Sequence, residues 1–180
     1  MTTWNIDSAH SSVGFSVKHM MVATVRGDFS GVEGVIHFDE AEPTRSSVQV
    51  RIPTESVNTG MAMRDEHLRS ADFFDAKQFP FLTFKSATIA AAGDGFKMSG
   101  DLTIRDVTRP VVLEATIDGI APGMKGGRLA GFEAHTKIRR ADWGLTWNKA
   151  LETGGMVVGD EIRIVLDLEA TEAAGAGKTT

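Results

Sequence analysis

The residues best able to bind a metal or move a proton are five histidines, at positions 10, 19, 37, 67 and 135. A metal site needs three or four converging ligands. These histidines are far apart in sequence, so His10, His19 and His67 could share an ion only if the fold brought them together. The simpler expectation is that His10 makes a polar contact at a strand end while His37 and His135 face solvent. The chain contains no G-x-S-x-G elbow, no H-E-x-x-H, no phosphate loop and no G-x-G-x-x-G. No catalytic residue, metal or cofactor is therefore assigned.

Two polar clusters remain. The densest is Arg64-Asp65-Glu66-His67. It could hold the polar head of a ligand at a cavity mouth, or pin a helix through a buried Arg–Asp pair. Arg140 and Asp142, beside Trp143 and Gly144, admit the same two readings: a structural ion pair or a head-group contact. The candidate mouth residues are His19, Arg64, His67 and Arg140.

Such residues need elements to position them. The dominant periodicity is two. Val13, Phe15 and Val17 alternate with small or polar residues, as do Val48, Val50 and Ile52, and Ile162, Ile164, Leu166 and Leu168. Alternation of this kind marks strands with one buried face. Further strand-like runs cover 31–38, 81–89, 96–104, 111–117 and 129–138. Ala92-Gly93-Asp94-Gly95 reads as a hairpin turn. About eight strands with short connections predict an antiparallel sheet or barrel. Gly27, Gly34, Gly100 and Gly144 are candidate bends. One stretch, Met61–Ala71, predicts a helix, with Thr59 as its cap and Asp65 and Arg69 as an i,i+4 pair. The barrel is expected over 1–170, and 171–180 as a frayed tail.

The composition excludes several classes. In 180 residues there are 19 Lys and Arg against 24 Asp and Glu, a net charge of −5. That balance argues against a nucleic-acid partner. No apolar run is long enough to span a membrane as a helix. The absence of Cys excludes a disulfide scaffold, a zinc finger and a cysteine nucleophile. There are 10 Phe and 8 Met but no Tyr. Either lineage drift or an apolar, adaptable interior would produce that usage. The candidate apolar set is Phe15, Val17, Met20, Met21, Met61, Met63, Phe73, Phe74, Phe79, Phe81, Phe84 and Trp147. An eight-stranded barrel can be filled by such side chains or hold one small ligand. Composition leaves both open.

The order of motifs resembles YceI-like proteins. Trp4-Asn-Ile-Asp7-Ser-Ala-His10-Ser11 leads into Val13-Gly-Phe15-Ser-Val17-Lys-His19 and Val25-Arg-Gly27-Asp-Phe29. Ser56-Val57-Asn-Thr59-Gly60, then Arg64-Asp65-Glu-His67-Leu68 and Asp72-Phe73-Phe74-Asp75, is the most specific stretch. Phe79-Pro80, Gly100-Asp-Leu102, Thr108-Arg-Pro110 and Arg140-Ala-Asp142-Trp143-Gly144 continue it to about Glu169. Asp106 departs from the glycine common in the family before the Val-Thr-x-Pro segment, which bears on the turn there.

The resemblance implies a lipocalin-like, extended antiparallel eight-stranded β-barrel with one short helix packed over it. It implies a bound polyprenyl, quinone or fatty amide chain inside the barrel, often in a homodimer. It favours a lined cavity over a filled core and carries over no catalytic residue. Many relatives follow a signal peptide. The start Met-Thr-Thr-Trp-Asn-Ile-Asp has no basic or apolar leader, so the expectation is a cytoplasmic protein. The function expected is storage, transport or sequestration of a hydrophobic small molecule. The alternatives are an enzyme acting on an isoprenoid lipid and a ligand-free interaction barrel.

Overall fold

Side chains that alternate between apolar and polar need a surface with one dry face, and a sheet rolled on itself provides it. A computed structural model describes residues 1–174. It contains ten strands: β1 (Thr2–Ile6), β2 (Ser12–His19), β3 (Ala23–Phe29), β4 (Glu33–Phe38), β5 (Ser47–Pro53), β6 (Phe81–Ala92), β7 (Gly95–Ile104), β8 (Val107–Pro122), β9 (Arg128–Arg139) and β10 (Val158–Glu172). One helix, α1 (Ala62–Arg69), lies between β5 and β6.

All pairings are antiparallel. β1, β4, β5, β6, β7, β8, β9 and β10 follow one another, and β10 returns to β1 to close a ring of eight. The second edge of β10 is shared. Its first part pairs with β2, and Ala170–Glu172 pairs with β1. β2 folds back on β3, so a two-stranded arm extends the wall at one end. The outer edge of β3 meets the segment entering α1, where Asp28 and Asn58 exchange two 2.9 Å backbone hydrogen bonds. α1 follows directly.

The all-β, eight-stranded barrel with one helix is thus the observed fold. The expected strands had omitted β1 and β3. Trp4 and Ile6 face inward in β1, but five residues carry little periodic signal. β3 carries Gly27 where an inward side chain would stand, because a Cβ there would lie 2.5 Å from the Phe15 ring.

Several local expectations are corrected. α1 is shorter than Met61–Ala71, and no side chain caps its start. Thr59 instead donates its N–H and its hydroxyl to buried Asp65. Arg69 does not pair with Asp65. It donates to the carbonyls of Glu55 and Val57 at 2.9 and 3.0 Å, tying α1 to the chain before it. The register shifts fall at Ser86/Thr88, Ile117/Gly119 and Val158/Ile162, not at the four candidate glycines. Gly144 (φ 75°) instead ends the 3₁₀ turn Arg140–Trp143. In the β7–β8 turn the positive φ falls on Arg105 (58°), so Asp106 is not strained by lacking the family's glycine. β10 runs through Glu172, past the expected boundary at 170. Residues 175–180 of the expected tail lie outside the described residues.

Candidate functional site

The inward faces of the ring enclose two apolar lobes. The larger, about 150 Å³, lies under α1 at the end where β2 finishes and β10 starts. Leu68, Phe73 and Phe74 roof it, and Phe15, Val17, Ile138 and Ile162 form its sides. The smaller, about 80 Å³, lies further along, between Ile36, Ile89, Phe96, Met98 and Phe132. Val50, Phe84, Leu113 and Leu166 line both. The lobes are therefore two parts of one lumen, parted by a shared band of side chains.

Phe84 is the largest member of that band. It is buried on β6. A glycine, Gly100 on β7, makes room for its ring: a Cβ there would lie 2.5 Å from Phe84 Cζ.

The candidate apolar set divides by position. Phe15, Val17, Phe73, Phe74 and Phe84 line the larger lobe. Trp147 stands behind that wall, its ring 5.4 Å from Phe73. Phe79 lies outside, with the Arg105 guanidinium 5.8 Å from its ring. Phe81 faces outward under Arg51, because Leu82 and Phe84 take the inward positions of β6. Met20 and Met21 sit in the exposed β2–β3 turn, and Met61 and Met63 are exposed at the start of α1. These last six residues line neither lobe.

Leu82, Leu102, Ile104, Leu113 and Ile164 also line the larger lobe and were not singled out. Their signal was strand parity: each is an inward position of a recognised strand.

Of the candidate mouth residues, Arg140 alone lines the lumen. Its guanidinium is committed to backbone oxygens: Gly159 at 2.8 Å, Leu145 and Trp147 at 2.8 Å each, and Val158 at 3.3 Å. Burial lowers its pKa, and Asp160 opposes that shift. The expected Arg140–Asp142 ion pair is absent among the described residues. Asp142 is exposed and offers its carbonyl to Arg109, whereas Arg139 pairs with Asp160 at 2.8 Å. Arg140 thus works as a clamp joining 145–147 to the start of β10.

His67 packs among the rings of Phe73 and Trp147. Its Nε2 is 2.8 Å from Asp72, and its ring packs edge-on against Phe73 and Trp147 at 5.1 and 4.6 Å. Arg64 donates to the hydroxyl and carbonyl of Thr59 at 2.7 and 2.9 Å. The helix is pinned through Thr59, which bridges Arg64 and Asp65, rather than by a direct pair. His19, half-buried, ends β2 opposite Val158.

His10, His19 and His67 do not converge. His10 sits in the β1–β2 connection with Nδ1 3.0 Å from Asp7 and 3.8 Å from Glu169, the one metal-compatible cluster among the described residues. The hydrogen bond between them raises the pKa of His10 and lowers that of Asp7. His37 and His135 are exposed, as expected.

A closed antiparallel ring around an apolar lumen of two lobes, roofed by one helix, defines a lipocalin-like barrel. The chain belongs to the YceI-like domain family, whose profile matches residues 4–170. Protein YceI of Salmonella newport is 40% identical over 140 residues, covering 78% of this chain and 73% of the relative. BcnA of Burkholderia cenocepacia superposes with a TM-score of 0.80 at 29% identity, covering 92% of this chain and 99% of BcnA. A polyisoprenoid binding domain from Saccharophagus degradans shares the fold with a TM-score of 0.64 at 15% identity, covering 96% of this chain and 100% of that domain. None of the three is named as an enzyme.

Proposed function

We propose that the barrel binds a long apolar chain along its lumen, that of a polyisoprenoid, an isoprenoid quinone or a fatty amide. The observation that carries this reading is the pair of apolar lobes meeting at Phe84. The likeness to a domain described as polyisoprenoid binding supports the ligand class. Each buried CH₂ contributes about 0.8 kcal/mol, so a chain can bind tightly with few polar contacts. A dry cavity of about 150 Å³ takes one benzene ring. A longer chain therefore has to displace Phe84 and join the lobes. Arg140 has four of its five N–H donors engaged by carbonyls, so recognition rests on the tail more than on the head. The role is storage, transfer or sequestration of the lipid.

Mass spectrometry of an organic extract of the purified protein tests this. A polyprenyl, quinone or fatty species in near-stoichiometric amount supports it. An empty extract, together with no binding of added quinone or polyprenyl phosphate, refutes it.

A further inference from the structure

We propose that the barrel end bearing the β2–β3 turn docks on an anionic lipid bilayer and that the lumen exchanges its ligand there. The exchange rests on the ligand reading above; the docking does not.

The turn is the first observation. Val22 donates its N–H to the His19 carbonyl at 3.2 Å. Met20 and Met21, the residues between, have φ of 54° and 65°. A turn with both central residues at positive φ favours Asn-Gly, and bulky residues there are strained. This chain places two methionines in it and leaves them 43% and 64% exposed, with Val22 84% exposed. The tip is held in place. The Met20 N–H donates to the Val157 carbonyl at 2.8 Å, and Met21 packs over Gly155. Apart from the contact of Met21 with Gly155, the three apolar side chains of this strained turn are presented to water rather than to the barrel's own packing.

The second observation is the charge beside it. Register puts Arg26, Ser16, Arg163 and Lys137 in one row across β3, β2, β10 and β9, with Lys18 two residues nearer the tip. Like charges placed opposite each other oppose sheet pairing. Lys137 reaches Glu161 at 3.7 Å, and neighbouring Asp160 is engaged by Arg139. Among the described residues, Lys18, Arg26 and Arg163 have no carboxylate within 4.0 Å. Further from the tip the sign reverses, with Asp28 opposite Gly14 and Asp167 opposite Ser12. A chain of net charge −5 thus places three unpaired cations beside this apolar tip.

The third observation is position. Val17 and Val158 line the larger lobe, and His19 pairs with Val158, so the turn adjoins that lobe. Apolar side chains at the acyl boundary with Lys and Arg facing the phosphates are what a bilayer surface selects. A convex three-residue tip does not offer the roughly 800 Å² that one partner contributes to a stable protein interface.

The test is co-sedimentation with vesicles of equal parts phosphatidylglycerol and phosphatidylcholine, against phosphatidylcholine alone. Binding is expected only to the anionic vesicles and is expected to weaken with salt. Arg26→Gln and Arg163→Gln should each lower partitioning about fivefold. Met20→Asn with Met21→Gly suits the turn, so it should raise the melting temperature while lowering partitioning. Unchanged partitioning of that stabilised variant, or equal binding to both vesicles, overturns the docking. Exchange is read as uptake of undecaprenol from the anionic vesicles and from cyclodextrin. The turn variant should slow uptake from vesicles and leave loading from cyclodextrin unchanged. Equal vesicle uptake by both proteins overturns exchange at this end. Failure of the wild type to load from cyclodextrin overturns the ligand reading and leaves the docking standing.

Discussion

Replacing Phe84 by Ala tests the lumen most directly. Phe84 is 7% exposed and borders both lobes. A buried Phe→Ala change costs about 3–5 kcal/mol. Two cavities already flank this ring, so it lacks some packing partners and the low end, about 3 kcal/mol, applies. In a domain of this size that is a fall of about 6–12 °C in melting temperature. The effect on binding has the opposite sign and depends on chain length. One lobe holds about six carbons, worth roughly 5 kcal/mol, or a Kd of about 0.2 mM. A long chain in the wild type must also move the Phe84 ring, at about 1.4 kcal/mol, the upper range of an unfavourable rotamer. Removing the ring removes that term, which is about tenfold in affinity. Calorimetric titration with the five-carbon alcohol prenol and with undecaprenol reads the difference. Undecaprenol should tighten about tenfold and prenol, which fits one lobe, should change little. If both respond alike, or both weaken in step with stability, Phe84 does not divide a ligand path.

Three further outcomes follow from the same geometry. Arg140→Met strips a donor from four backbone carbonyls and should cost about 1–3 kcal/mol by urea unfolding; Arg140→Lys, lacking the fork, should recover only part, and a Met variant as stable as wild type would sink the clamp. Gly100→Ala sets a Cβ 2.5 Å from both Phe84 Cζ and the Lys85 carbonyl oxygen, an overpacking that costs about 1–3 kcal/mol, and Phe84→Leu on that background relieves only the ring contact and should regain only that part in the melting temperature. His10 is held above its ordinary 6.5 chiefly by its hydrogen bond to Asp7, so its contribution is complete below 6.5 and lost as pH rises through its folded pKa. Asp7 is held below 3.8 chiefly by the same bond, so its contribution is present above 3.8 and lost on acidification through its folded pKa. His10→Gln should flatten both limbs of stability against pH, and an unchanged profile in chemical denaturation would count against the pair.

The barrel was legible because its signal is simple. Period-two alternation in β2, β5 and β10 names the inward side chains outright, and one continuous core requires the ring they form. β3 escaped detection for a long-range reason. Its Gly27 makes way for the Phe15 ring and for Thr59, two neighbours from different segments. No local window holds that information. The helix was visible as a break in alternation, but its anchoring was not, since Asp65 satisfies its charge on Thr59 and Arg69 reaches back to Glu55 and Val57.

Of the candidate residues, Phe15, Val17, Phe73, Phe74, Phe84 and Arg140 line the lumen, and most of those that lie outside it follow one rule. Residue type was read in place of parity. Phe81 and Phe84 look equivalent by type, yet three positions along a strand put them on opposite faces. The methionines at 20, 21, 61 and 63 likewise looked like lining because Met fills cavities. A turn and a helix start have no inward face, so apolar residues there are presented outward. All four are exposed and line neither lobe, so they belong to the outer surface rather than to the lumen itself. On that placement the two proposals fit together: the inner apolar surface is where a chain would be held, and the outer one is where the barrel would meet the bilayer that supplies it.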